Sequence, residues 1–373
     1  MKNLSTLINE LNTKFWTRVN DSVSLPLESL CCFRIILGFY LLLIQLKTYS
    51  WIRYIPDLLY SPPKMSIARF FHSFPDYWLF LAIDMGILIA VLCIIFGIKA
   101  RLASLLFGVL NIVGCSFNYS FGKIDHDILL YVLLICMSLS NWGTLLAFYP
   151  DKKLKGADRS LLLLSVLICF GMFTAGLPKA RTWINLDMSS SGFLSWYFRG
   201  LSESGRSDLL MPYVLDFPPL LIKSFDFIAV LFELSAFFML MAGRKFWKLW
   251  LLGVVTFHLL NCLLLNIPFV VNFLVYLAFI DFSGLYQRIN NYIRQPYVKI
   301  ILSSVVFLLV LIRLFFILTG NKNNNLLIDT EWDLNFAVLL WVVSIILFIK
   351  NIFQNPLSRM ETTHTVNATS GRG

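Results

Sequence analysis

Charge is what this sequence has least of. Only 14% of its 373 residues are Asp, Glu, Lys or Arg, whereas a soluble domain carries roughly a quarter. So few charges cannot cover the surface of a water-soluble fold, and that class is excluded. Paired cysteines are missing too. Cys31, Cys32, Cys93, Cys115, Cys136, Cys169 and Cys262 all fall in apolar blocks with no CxxC spacing. That excludes a disulfide framework or zinc ribbon and reads as buried free thiols. No GxSxG, HExxH or P-loop pattern occurs, and no metal is expected. The net charge of +10 forms no basic stripe interleaved with aromatics, so no nucleic-acid partner is expected. Residues 1–29 lack an early apolar run, and no cleavable signal peptide is expected.

What is present is hydrophobic: 58% of residues, with a mean hydropathy of +0.74. The apolar residues come in blocks of about 15 to 21, long enough to span ~30 Å of hydrocarbon as helix. Backbone in lipid must satisfy its own hydrogen bonds, so these blocks read as helices. The fold class is therefore all-α, a polytopic transmembrane helical bundle of about ten spans. They fall near 30–46, 77–96, 102–121, 127–148, 160–178, 225–242, 248–265, 269–282, 299–318 and 334–349. The 34 Phe, 14 Tyr and 10 Trp suit lipid-facing surfaces and interfacial belts.

Placing the N-terminus inside puts about 18 basic residues in inside segments against about 11 outside. The short loops 149–159 and 243–248 are strongly basic, so both termini are expected in the cytoplasm. The membrane expected is the cell (plasma or inner) membrane. Four regions follow: 1–29, an amphipathic interfacial helix carrying Leu4, Leu7, Ile8, Leu11 and Phe15; a bundle over 30–285; two further spans in 286–350; and a polar tail over 351–373, expected to be disordered. The outside segment 179–224, with Ser189, Ser190, Ser191, Gly192 and several aromatics, reads as a lid.

An ionisable side chain within a span costs ~2.5–3.5 kcal/mol on insertion scales, so each needs a reason. Arg34 is close enough to the inner end of its span to snorkel. Asp84, Glu233, His258 and Arg313, with His126 and Lys179 at span ends and Asn118 and Asn261 at similar depth, fall within roughly 12 Å of the outer face. One reading is scattered pairing, for instance Glu233 with Arg313. The other is a polar cavity open to the outside. His126 and His258 can donate or accept near neutral pH, and an amine at the edge of an apolar bundle, near Arg181, is suited to work as a neutral base.

Ala175-Gly-Leu-Pro-Lys-Ala-Arg-Thr-Trp183 resembles the Ala-Gly-x-x-Lys stretch, followed by Trp, of vitamin K-dependent gamma-glutamyl carboxylases. Phe257-His-Leu-Leu-Asn-Cys-Leu-Leu-Leu-Asn-Ile267 resembles the His-x-x-Asn stretch of that family, and Asp125-His126 its helix-opening histidine. Cys32-Phe-Arg-Ile-Ile-Leu-Gly38 resembles the Arg-x-x-x-Gly opening of the broader HTTM (horizontally transferred transmembrane) family. The resemblance runs over roughly residues 25–285 in the same order. It departs at Pro178, where the animal enzymes have lysine. After the bundle it has two spans and a short tail in place of a large lumenal region.

The resemblance implies quinol-dependent, carboxylase-like (lyase/oxygenase) chemistry with a reduced quinone, a vitamin K-like hydroquinone, as cofactor. The catalytic set would be Lys179 as base, His126 to orient the quinol, and His258, while Asn261, Asp84, Glu233, Asn118 and Trp183 would line the pocket with His258. The implied partners are membrane lipids and a secreted peptide or protein substrate. Two alternatives stand beside it. One is a non-enzymatic membrane partner for maturation or export of a secreted peptide. The other is a transporter with an outward-facing polar cavity, which should show paired broken helices or an inverted repeat.

Overall fold

The structure, a computed structural model, describes residues 4–121, 128–155, 158–293, 295–321, 326 and 333–353. The helices are α1 (Leu4–Val23), α2 (Leu27–Leu43), α3 (Tyr77–Phe96), α4 (Ala100–Asn118), α5 (Ile128–Met137), α6 (Ser160–Thr182) and α7 (Gly192–Ser204). They continue as α8 (Pro219–Ala242), α9 (Arg244–Leu265), α10 (Phe273–Leu277), α11 (Ser283–Ile293), α12 (Pro296–Thr319) and α13 (Asp333–Phe353). Among the described residues there is no strand, only one isolated bridge between Ile98 and Tyr149.

Among the described residues seven helices are long and apolar enough to cross a bilayer: α3, α4, α6, α8, α9, α12 and α13. An eighth is reached only if α1 and α2 together count as one broken span. The remaining expected blocks are shorter. That at 127–148 is helical over Ile128–Met137 and then turns, the Ser138 hydroxyl donating back to the Ile135 carbonyl. That at 269–282 holds only the five-residue α10. Pro268 lacks the N–H that would continue α9, and Asn266 and Phe269 take left-handed backbone at φ +51° and +46°. The tail from 354 onward lies outside the described residues.

The chain divides into two compact units, each described by itself. The first comprises the described residues of 23–167 and 269–333. In it α3 packs on α2 and α4, and α4 on α5. Arg34 is the polar centre of this unit, and here the snorkelling expectation is corrected. The residue is 0% exposed. Its Nε donates to the Trp142 carbonyl at 3.0 Å, Nη1 to Ile94 and to Ile95 (3.0 Å), and Nη2 to Leu145 (3.2 Å) and Leu146 (2.6 Å). A helix leaves its last carbonyls unpaired, and a cation there also meets the negative end of the helix dipole. Arg34 thus closes the end of α3 and ties the 142–146 turn to it.

The second unit comprises the described residues of 1–22, 168–268 and 334–373. Helices α8 and α9 form a hairpin whose turn is Gly243, at φ +114°. Arg18 of α1 donates through Nε to Met241 (2.8 Å) and through Nη2 to Ala242 (2.5 Å), and the Ser22 hydroxyl to Leu240 (2.9 Å). These side chains cap the end of α8, and a Cβ on Gly243 would sit 2.9 Å from the Arg18 guanidinium. On α1, Leu4, Leu7, Ile8 and Leu11 are exposed. Along the hairpin Phe232 stacks on Trp250 (5.3 Å) and Trp250 on Trp247 (5.1 Å).

The segment 183–218 forms a small lobe at the end where α6 finishes, α8 begins and α9 finishes. Phe193 and Tyr197 of α7 and Met211 and Val214 of the following 3-10 turn pack with Ile222, Leu264 and Leu265. The segment expected to act as a lid thus shares an apolar cluster with α8 and α9.

A polar stripe on α8 and the end of α6

The candidate site is built on two helix ends. α6 finishes with Ala175-Gly-Leu-Pro-Lys-Ala-Arg-Thr182, and Gly176 is where it presses on α8. A Cβ there would lie 3.0 Å from the Glu233 Cβ and 3.2 Å from the Leu234 side chain. The glycine three residues before Lys179 thus lets the lysine come alongside α8. Its ammonium forms a hydrogen-bonded ion pair with Glu233 Oε1 and lies 5.2 Å from the centre of the Trp183 ring. Trp183 follows one turn after Lys179, its N–H bonded to the Lys179 carbonyl at 2.7 Å. The indole is pressed against Gly192, where a Cβ would be 2.1 Å from the ring. Glycine at 192 is therefore what allows the indole to lie there.

Glu233 is only 4% exposed. Its Oε1 is taken by Lys179, and no described residue gives a hydrogen bond to Oε2. A buried carboxylate oxygen without a donor is costly.

Further along α8, Lys223 and Asp226 share the face of Glu233, at i, i+3 and i+10. Both are buried. The Lys223 ammonium donates to Asn185 Oδ1 (2.8 Å), the Ser190 carbonyl (3.0 Å) and the Trp183 carbonyl (3.3 Å), and lies 3.6 Å from Asp226 Oδ2. Asp226 accepts from the N–H groups of Phe193 (2.8 Å) and Gly192 (3.3 Å) and from the Ser191 hydroxyl (3.2 Å). Those N–H groups open α7, so the carboxylate sits where an anion is favoured. Outside the bundle, Asp187 accepts from the Ser189 hydroxyl (2.7 Å) and N–H (2.9 Å), which hold its carboxyl below the usual range.

Of the residues expected at the site, Lys179, Glu233 and Trp183 come together. The example pairing of Glu233 with Arg313 is corrected: Glu233 pairs with Lys179, while Arg313 donates through Nε to the Leu42 carbonyl at 2.8 Å. His258 is buried and stacks on Trp341 at 4.9 Å, and the Trp341 indole N–H donates to the Pro268 carbonyl at 2.8 Å. Asn261 is half-buried on α9, and its carbonyl accepts the Ile267 N–H at 3.2 Å where that helix ends. Asp84 and Asn118 belong to the other unit. Asp84 gives both oxygens to backbone, accepting from Tyr49 (2.7 Å) and Ser50 (2.9 Å) at the start of the 3-10 turn Ser50–Tyr54. Asn118 ends α4. His126 and its Gly122-Lys-Ile-Asp-His-Asp127 stretch lie outside the described residues. Among the described residues no three of His, Cys, Asp and Glu gather in a way that could hold a metal ion.

Lys223 and Asp226 were not singled out from sequence. The available signal was Pro218-Pro219, since proline favours the first helical position and moves the start of α8 back from 225 to Pro219. That start brings Lys223 and Asp226 onto the helix. No protein-family model, curated protein or solved structure matches the chain.

Proposed function

We propose that this chain is a multi-pass protein of the cell membrane, with a cytoplasmic N-terminus and the 183–218 lobe facing out, that uses a reduced quinone in carboxylase-like chemistry. The observation that carries the reading is the Lys179–Glu233 pair beside Trp183, with Glu233 Oε2 still lacking a donor. With the seven long helices as the spans, the N-terminus and the basic loops 149–159 and 243–248 share one side.

The residues fit a hydroxylated aromatic molecule arriving through lipid. Trp183 offers a π-face and Glu233 an acceptor, and the ammonium of Lys179 faces the negative charge that a departing proton leaves behind. A lysine and carboxylate in contact act as one proton-holding unit, so Lys179 and Glu233 take up that proton together. When bound, a reduced quinone would supply two electrons to dioxygen and, by that reaction, a base stronger than any side chain. In this reading the 183–218 lobe, packed on α8 and α9, would shield such a base from water.

The test is oxygen-dependent consumption of reduced quinone by protein reconstituted in lipid. Wild type should turn over and Lys179→Ala should lose at least about 100-fold, the scale of general acid–base assistance. Equal rates in the two proteins would remove Lys179 from the chemistry.

A further inference from the structure

Where α3 finishes and α4 begins, a later stretch of chain is laid against the turn. The Phe148 N–H donates to the Phe96 carbonyl at 2.9 Å, the Lys99 N–H donates to the Tyr149 carbonyl at 3.3 Å, and the Phe148 ring meets the Phe96 ring edge-on at 5.5 Å. Arg101 holds the residues that follow. Its Nη2 donates to the Lys152 carbonyl at 2.8 Å, and its backbone N–H donates to Asp151 Oδ2 at 3.1 Å. The Leu154 N–H donates to Asn141 Oδ1 at 2.7 Å. Residues 148–154 therefore form a fixed surface, not a loose run of charge.

That surface presents charge of one sign. Asp151, the acid of the stretch, is only 9% exposed and is engaged by Arg101. Lys99, Lys152, Lys153 and Lys155 are all exposed. Among them stand exposed apolar side chains: Phe148, at 78%, with Ile98, Tyr149 and Leu154. The Lys99 ammonium lies 4.5 Å from the centre of the Tyr149 ring. The apolar surface continues along α4, a helix long and apolar enough to span, through exposed Leu102, Leu106 and Val109 on one face. Cations around aromatic tips, at the rim of a surface that runs on into a span, match the headgroup layer of an anionic bilayer. A soluble acidic partner would meet the lysines but has no use for the apolar continuation on α4.

We infer that residues 98–101 and 148–155 form a docking surface for anionic lipid, the lysines taking the headgroup phosphates and Phe148 and Tyr149 entering the interface beside them. The inference goes beyond the proposed function, for neither the quinone nor the side of the membrane enters it.

Native mass spectrometry of the full chain in neutral detergent, titrated with phosphatidylglycerol or with phosphatidylcholine of the same acyl chains, tests it. Wild type should bind phosphatidylglycerol about tenfold or more tighter. Each lysine near an anionic surface is worth roughly fivefold, so Lys152→Gln/Lys153→Gln/Lys155→Gln should bring the two lipids to within about threefold. Arginine at the same three positions keeps the charge and should keep the preference, which separates lost charge from lost folding. Phe148→Ala should weaken both lipids by about threefold or more and leave their ratio unchanged. Equal affinities in wild type, an unchanged preference in the glutamine variant, or unaltered affinities in Phe148→Ala would each overturn the inference. Polyglutamate that binds wild type in phosphatidylglycerol nanodiscs, and needs the same three lysines, would overturn it in favour of a soluble acidic partner. Turnover of quinone is unaffected by any of these outcomes, so the proposed function stands or falls separately.

Discussion

Asp226 and Glu233 stand two turns apart on one face of α8, about 10 Å along its axis. The first holds the lid at the start of α7 and the second holds Lys179 at the end of α6. Trp183 connects them, since its carbonyl receives Lys223 and its ring lies by Lys179. Lid and ion pair are therefore parts of one arrangement.

Loss of either lid anchor should loosen that arrangement. In Asp226→Ala the N–H groups of Gly192 and Phe193 lose their acceptor, and in Lys223→Met three oxygens lose their donor. Each change should cost about 1–3 kcal/mol. Limited proteolysis is expected to cut within 184–191 faster in both variants while the helices stay intact. Cleavage at the wild-type rate would mean that the lid is held elsewhere.

The lid loop should also respond to pH through Asp187. Its carboxyl is held low by Ser189, so its contribution is present above the ordinary carboxylate range. It is lost as the pH falls through the lowered value. Proteolysis in 184–191 should therefore accelerate on acidification, and Ser189→Ala should shift that acceleration to higher pH. An identical pH profile in the two proteins would contradict the assignment.

Arg34 should be the most sensitive single position of its unit. Arg34→Ala removes a hydrogen-bond donor from five carbonyls, three of them in buried bonds, a loss on the order of 3 kcal/mol or more. Arg34→Lys keeps the charge but not the fan of donors and should fall between. Thermal unfolding of the purified protein in detergent checks the order. A lysine variant as stable as wild type would mean that charge alone suffices.

Much of this was legible in the residues. The seven long helices follow from uninterrupted apolar blocks, because in lipid a helix needs little beyond length and hydropathy. The shortened stretches were not legible, since side chains distant in sequence set their ends. Nothing near Ile94 or Leu146 announces that Arg34 will collect their carbonyls. Counting residues gave Asp84, Glu233 and Lys179 a common depth but no direction around each helix. Depth could not tell that Asp84 faces the Ser50 turn, or that Glu233 meets Lys179 rather than Arg313. Gly176 and Gly192 carried the missing direction, as places where side chains must come close.

The orientation is open to a simple check. One span, α6, separates Asp151 from Ser204. Reporter fusions at the two positions should signal from opposite sides of the membrane, with Asp151 in the cytoplasm. Signals from one side would end the proposed arrangement.

In the proposed function a quinone is held at Lys179, Glu233 and Trp183. Photolabelling with a reduced azidoquinone in lipid nanodiscs, followed by peptide mapping, tests it most directly. Label is expected on the peptides around 176–196 and 230–237, suppressed by excess unlabelled reduced quinone. Label confined to other helices, or label that the competitor does not suppress, would contradict it.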